Sequence, residues 1–148
     1  MRNIDEFMKI AIEEAKKSFS EGGIPIGSVL ISKDGKVLGK GHNRRVQDND
    51  PLAHAEIVAI RNAGRIGSYK DTILYSTLMP CYLCAGAIVQ FGIKKVIVGE
   101  SKTFPGAKDF LLSHKVEVVD LNLDECVELM NKFIENNQEL WNEDIGKL

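Results

Sequence analysis

Three residues of this 148-residue chain have the chemistry and spacing to share one metal ion: His54, Cys81 and Cys84. Cys81 and Cys84 stand three apart, so in the first turn of a helix they fall on one face. Unpaired backbone N–H groups and the helix dipole favour thiolates there. Pro80 suits the first position of such a helix because it has no N–H to lose. Two thiolates and an imidazole suit Zn²⁺. A structural zinc site takes four protein ligands, whereas a catalytic one keeps a position for water. The other candidates for a fourth ligand, His42, His114 and Cys126, have no ligand-pair spacing. Cys126 falls on the apolar face of a C-terminal helix, where a thiol acts as a small hydrophobe. Glu56 lies two residues after His54 and so points about 200° around a helix from it. From there it cannot join the ligand set on the same face. It can serve as the general acid/base that a nucleophilic water needs. Alone, Glu56 is explained as an acidic residue in a helix's first turn; beside Pro80-Cys81-x-x-Cys84 it reads as catalytic. A lone Cys-x-x-Cys also suits a redox pair, which has no need of His-x-Glu.

The elements that must carry these residues follow from periodicity. Ile4, Phe7, Met8, Ala11, Ile12, Ala15 and Phe19 have helical spacing, with Asn3 and Glu6 as a capping box and Gly22-Gly23 as the stop. Ser28–Ile31, Asp34-Gly35 and Lys36–Leu38 read as a hairpin. Asp50-Pro51 is expected to open a second helix, with Asp50 as N-cap and His54 in the first turn. Strands at 72–77, 95–99 and 116–119 then alternate with helices opening at Pro80 and spanning 107–112. A last helix is expected from about Asp124 to Glu139. Each later crossover carries a helix, so the later strands should be parallel. The fold class is α/β. Two helix N-termini at one end of a parallel sheet are where such a fold places its crevice.

The whole chain, 1–148, reads as one domain: no linker, repeat or low-complexity segment divides it. Hydrophobic residues make up 44% and charged residues 27%, which excludes disorder, collagen and coiled coil. No apolar run approaches the ~20 residues of a membrane span. The first residues lack the apolar stretch of an export signal, so a cytoplasmic protein is expected. Three cysteines without an export signal fit a metal site better than a disulfide framework. The net charge of −2 gives no footprint for a nucleic acid backbone.

His54-Ala55-Glu56 with Pro80-Cys81-Tyr82-Leu83-Cys84 is the paired motif of the zinc nucleobase deaminases. The chain resembles the cytidine deaminase-like superfamily, and within it the fungal-type cytosine deaminases that act on free base. The resemblance spans nearly the whole length. It includes Glu21–Gly27, Gly39–Asn43, Val98-Gly99-Glu100 with Phe104, and the ending Trp141-Asn142-Glu143-Asp144-Ile145-Gly146. It implies a three-layer α/β/α sandwich on a central five-stranded mixed sheet, a homodimer, and one zinc per subunit held by His54, Cys81 and Cys84. Glu56 is implied to carry protons to ring N3 and to the leaving amine during hydrolysis of cytosine to uracil and ammonia, a step of pyrimidine salvage. Asn43 and the Ala55 N–H are implied to meet the N1–H and O2 edge of the base. Asp144 is implied to face its amine end, and Ile26, Phe104 and Trp141 to wall the pocket. Two positions depart from the pattern: Met79 stands where Ser is common, and Ala55 where the fungal type commonly has Gly. A backbone carbonyl at 79 can still meet the amine. Read singly, Asn43 suits a turn, Trp141 a helix anchor and Asp144 a solvated terminus.

The partner is thus expected to be a small nucleobase, not a nucleic acid or a membrane. The zinc motif alone does not separate a cytosine deaminase from a guanine- or isoguanine-type purine deaminase or a tRNA adenosine deaminase. Residues 121–148 carry seven acidic and two basic side chains, a poor surface for an RNA stem. A zinc-stabilised binding module without catalysis would need a fourth protein ligand and be indifferent to Glu56.

Overall fold

The computed structural model describes residues 4–147. Five strands, β1 (Gly27–Ser32), β2 (Val37–His42), β3 (Thr72–Ser76), β4 (Lys95–Val98) and β5 (Glu117–Asp120), form one sheet in the order β2-β1-β3-β4-β5. β1 pairs antiparallel with β2 and β3, while β3, β4 and β5 are parallel. Six helices flank it: α1 (Glu6–Ser20), α2 (Ala55–Ala63), α3 (Tyr82–Phe91), α4 (Lys108–Ser113), α5 (Asp124–Asn136) and α6 (Gln138–Asp144).

The strand pleat builds the layers. Alternate side chains leave opposite faces of a sheet. Val29, Ile31, Tyr75 and Ile97 pack with Met8, Ala11 and Ile12 of α1 and Cys126 of α5. Their neighbours Leu30, Leu74, Val96 and Val98 pack on the other face with Ile60, Ala85, Ile88 and Leu111 of α2, α3 and α4. This is the expected three-layer α/β/α sandwich on a five-stranded mixed sheet. The unbroken apolar run of β4 is buried on both faces, as parallel strands are. α1 lies so close to β1 that a Cβ on Gly27 would stand 1.9 Å from the Ala11 carbonyl oxygen. A third apolar cluster, including Ile24, Ile26, Leu78, Phe133 and Trp141, sits where the α2 N-terminus meets α5 and α6.

Four helix ends differ from expectation, each for a local reason. Asn3 lies outside the described residues, and Asp5 is the N-cap of α1, accepting from the Phe7 and Met8 N–H groups. Asp50 does not open α2: its Oδ1 accepts the Leu52 N–H at 2.9 Å, a tight local turn, and α2 starts five residues later with His54 as N-cap. α3 starts after Cys81, its N-cap, rather than at Pro80. The last helix is two. Asn137 leaves helical geometry (φ −144°, ψ 43°) while its Nδ2 donates to the Phe133 carbonyl at 3.0 Å, ending α5 and redirecting the chain into α6. β2 runs on to His42, so Asn43 leaves the strand end.

Candidate active site

Both chemistry-bearing motifs sit at helix starts, with His54 and Cys81 as N-caps in extended backbone geometry (ψ 153° and −179°). Because His54 precedes the helix, the 200° separation expected from Glu56 does not apply, and both line one pocket. One ligand atom each from His54, Cys81 and Cys84 lies within 4.8 Å of the others, the only such group of three or more among the described residues. His54 Nδ1 stands 3.4 Å from Cys81 Sγ, so this nitrogen faces the sulfurs. Its Nε2 faces Asp144 Oδ1 at 3.6 Å. A carboxylate behind the imidazole fixes which nitrogen is free to ligate.

The electrostatics fit a divalent cation. The Cys81 thiol is pulled down to about 4, first by the Cys84 side chain and then, against burial, by His54. Cys84 moves the opposite way, raised by the Cys81 sulfur and by burial, so without metal the two thiols share one proton. His54 is raised to about 9: burial works against its charge, but the Cys81 sulfur and Asp144 outweigh it. A cation among these donors releases such protons and takes their place. Two soft sulfurs and an imidazole nitrogen are the donor set zinc prefers. Glu56 is raised to about 7, first by burial and then by the Cys81 charge, the poise of a general acid/base at neutral pH.

The pocket is small and partly enclosed, with about 290 Å³ of empty space between its walls and mouth. Its polar wall is Asn43, His54, Glu56, Cys81 and Asp144. Its apolar wall is Ile26, Leu78, Met79, Phe104, Trp141 and Ile145, with Phe104 edge-on to Trp141 at 5.9 Å between ring centres. Every sequence-derived candidate therefore lines the pocket except Cys84, buried within the metal group, and Ala55, whose methyl packs in the third apolar cluster. Ala55 still presents its backbone: as the first residue of α2 its N–H has no acceptor within the helix, which leaves it for another. Leu78 and Ile145 were not singled out by sequence. Nothing separates them from core residues except that each adjoins one that was.

Asn43 is both turn residue and pocket wall. Its Oδ1 accepts the Arg45 N–H at 3.0 Å, its N–H donates to the Ile26 carbonyl at 3.0 Å, and its carbonyl accepts from Ser18 Oγ at 2.8 Å. Nδ2 remains buried without a hydrogen-bond partner, as does Asp144 Oδ1. One lone pair of the Asn43 oxygen is thus spent within the chain, and the pocket sees chiefly a donor. The Asn43 amide stands close enough to favour the Asp144 charge, but neither Nδ2 nor Oδ1 makes a hydrogen bond of full geometry within the chain, so both can turn to a ligand. Burial and the Cys81 charge raise the Asp144 carboxyl, opposed by His54, Arg45 and the Asn43 amide. The remaining fourth-ligand candidates lie elsewhere: His42 is held between Glu14 and Glu21, His114 is exposed, and Cys126 is buried under the sheet.

The first 100 residues match the model of the cytidine and deoxycytidylate deaminase zinc-binding region. The chain is 50% identical over 142 residues to the cytosine deaminase of Candida albicans, covering 95% of each. It is 35% identical to the tRNA-specific adenosine deaminase of Haemophilus influenzae, covering 91% of this chain and 85% of that one. A solved structure from work on A-to-I editing by tRNA:A34 deaminases superposes with a TM-score of 0.72 at 32% identity, covering 83% of this chain and 97% of that one. A match over two thirds of the length, with the metal group and its carboxylate assembled at one pocket, places this chain in the cytidine and deoxycytidylate deaminase family of zinc-binding deaminases.

Proposed function

We propose that this protein deaminates a free base, converting cytosine and water to uracil and ammonia. The observation that carries the reading is the pocket itself: a three-donor metal group beside a buried carboxylate, walled on one side by α6. The half-identity to a cytosine deaminase along 95% of the chain supports the choice of base.

His54, Cys81 and Cys84 hold one zinc ion per subunit. Bound there, zinc supplies the Lewis acid that makes water nucleophilic at neutral pH. Glu56 takes the proton from the nucleophile, passes it to ring N3, and delivers a second to the departing amine. The C4–O bond forms, the C4–N bond breaks, and ammonia leaves. The Asn43 Nδ2 and Ala55 N–H donors meet O2, and the unmatched Asp144 Oδ1 accepts from the amine. Ile26, Met79, Phe104 and Trp141 exclude water, which strengthens each of these interactions.

The wider setting belongs to the same reading. The chain acts as a single deaminase domain, and release of uracil places it in pyrimidine salvage. Leu52, Tyr82 and Leu83 are exposed apolar side chains near the two helix starts, which suits burial in a homodimer. Three free thiols suit the reducing cytoplasm. No helix among the described residues is long and apolar enough to cross a membrane. A tRNA adenosine deaminase is the second reading, favoured by the relatives of that name. Against it stand the small pocket and the acidic stretch 121–148. A guanine-type base is the remaining alternative, and turnover separates it from cytosine.

Ammonia release from cytosine, 5-methylcytosine, cytidine, adenine, guanine and isoguanine tests the choice. Cytosine is expected to turn over and cytidine not, because the wall leaves no room for ribose. Faster turnover of cytidine, or of any purine, overturns the reading.

A further inference from the structure

We propose that Arg45 is a positioning residue: it seats α6 over the pocket and thereby aims Asp144. α6 has seven residues, too few to hold as a helix on local bonds alone. Yet α6 and its C-cap supply three pocket residues, Trp141, Asp144 and Ile145. Something must fix its seat. Trp141 gives it apolar packing; Arg45 gives it direction. From the turn after β2, Arg45 Nη1 reaches Glu143 Oε1 at 3.1 Å and Nε stands 3.7 Å from Asp144 Oδ1. The same residue's backbone N–H holds the Asn43 side-chain oxygen at 3.0 Å. One residue therefore ties together the two polar groups of the pocket that lack partners.

The chemistry requires such a tie. The Asp144 side chain is only 6% exposed and Oδ1 has no hydrogen bond. A buried carboxylate without compensation would swing to solvent and take the end of α6 with it. Two nitrogens oppose this, Arg45 Nε at 3.7 Å and His54 Nε2 at 3.6 Å. Both stand just beyond hydrogen-bond reach, so Asp144 is held in place while Oδ1 stays free to accept. Arg suits the task because its planar fork addresses Glu143 and Asp144 at once; an ammonium is a single point. Glu143 is outside the pocket and 44% exposed, so it acts as an anchor and not as a substrate contact.

This inference rests on the cytosine reading only for its kinetic arm. Trp141 is the only tryptophan in the chain, so its fluorescence reports the seating of α6 directly. The test compares wild type, R45Q, R45K, E143Q and R45Q/E143Q for acrylamide quenching of Trp141, thermal midpoint and kcat/KM on cytosine. R45Q is expected to raise the quenching constant and lower kcat/KM by about 10- to 100-fold, the scale of a misplacement near 1 Å. E143Q moves both the same way by less, R45K recovers part of the loss, and the double variant is no worse than R45Q. Quenching unchanged in R45Q and E143Q overturns the proposal, whether or not activity falls. So does additivity in the double variant. If R45Q does not fold, E143Q decides by the same quenching criterion. If wild type fails to deaminate cytosine, the substrate reading falls while the quenching comparison still judges Arg45.

Discussion

Replacing Glu56 by Gln isolates proton transfer from everything else the site does. Glu56 is 5% exposed, and burial is the largest cause of its raised titration, so its charge is held in the pocket at some cost to the fold. Gln has nearly the same shape and no charge. E56Q should therefore fold as stably as wild type or more so, and its metal content should be unchanged because His54, Cys81 and Cys84 are untouched. What it loses is the group that carries protons. Positioned acid–base catalysis contributes about 10²- to 10⁴-fold. At about 1.4 kcal/mol per tenfold, that is roughly 3 to 5 kcal/mol of barrier. E56D separates chemistry from placement: it restores the carboxylate but withdraws it by one methylene, about 1.5 Å, and should lose on the order of 10²-fold.

The assay is ammonia release from cytosine across pH, with metal measured by mass spectrometry and stability by urea unfolding. Wild type should lose activity on the acid side as a carboxylate protonates, and E56Q should lose that limb of the profile. E56Q within threefold of wild type at full metal occupancy would remove Glu56 from the mechanism. A parallel loss of metal would instead make Glu56 part of the binding set, which contradicts the three-donor group.

Two further outcomes follow from the charges. Glu14 is nearly buried, and although burial alone would raise its carboxyl, Lys17 and His42 bring it below its ordinary value. A depressed folded-state value stabilises the protein above the unfolded value, 4.5 for this group, and that stability is lost as pH falls through the folded one. E14Q should thus flatten the acid side of the urea-stability profile while leaving its slope between pH 7 and 8 as in wild type; an unchanged acid limb refutes the assignment. Among the thiols, Cys81 is pulled down to about 4 and Cys126 pushed up to about 12 by burial. After chelation at pH 7, iodoacetamide should label Cys81 first and Cys126 last, as peptide mapping would show, and zinc should protect Cys81. Equal labelling of Cys81 and Cys126 would refute the assignment.

The site was more legible in the sequence than the helix ends that carry it. His54, Cys81 and Cys84 are legible as a candidate metal group because ligand chemistry depends on residue type and spacing, and Glu56 because a carboxylate stands two residues from one of them. Their exact helical phase was not legible. It turns on whether Asp50 caps a helix or closes a turn on Leu52, two uses of one side chain that a sequence does not distinguish. The break at Asn137 is the same kind of case: an amide that can sit inside a helix instead bonds back to Phe133 and ends it. β4 was read correctly because an apolar run on every residue admits few alternatives. Leu78 and Ile145 were not, since an apolar side chain looks the same facing a core or a cavity. Arg45 was invisible as a pocket element: a charge in a polar turn gives no sign that its partners lie on a helix a hundred residues later.

The placement of these parts divides chemistry from choice of base. The metal donors and Glu56 ride on the starts of α2 and α3, at the end of the parallel strands where an open α/β sheet leaves its crevice. All of them fall within the 100 residues that match the family model. The residues that close the pocket, Phe104, Trp141, Asp144 and Ile145, come after that match ends. They sit on the loop beyond β4 and on α6, elements that contribute nothing to the metal group. A wall built this way can change while the reacting centre stays fixed, because the two are covalently far apart and meet only across the cavity. The base that is admitted then depends on what the remainder of the chain places against the reacting centre. In this chain α6 and its C-cap bring an indole, a carboxylate and an isoleucine against the pocket. Selection therefore depends on how firmly α6 is seated, and the residue that seats it lies in the matched half, at Arg45.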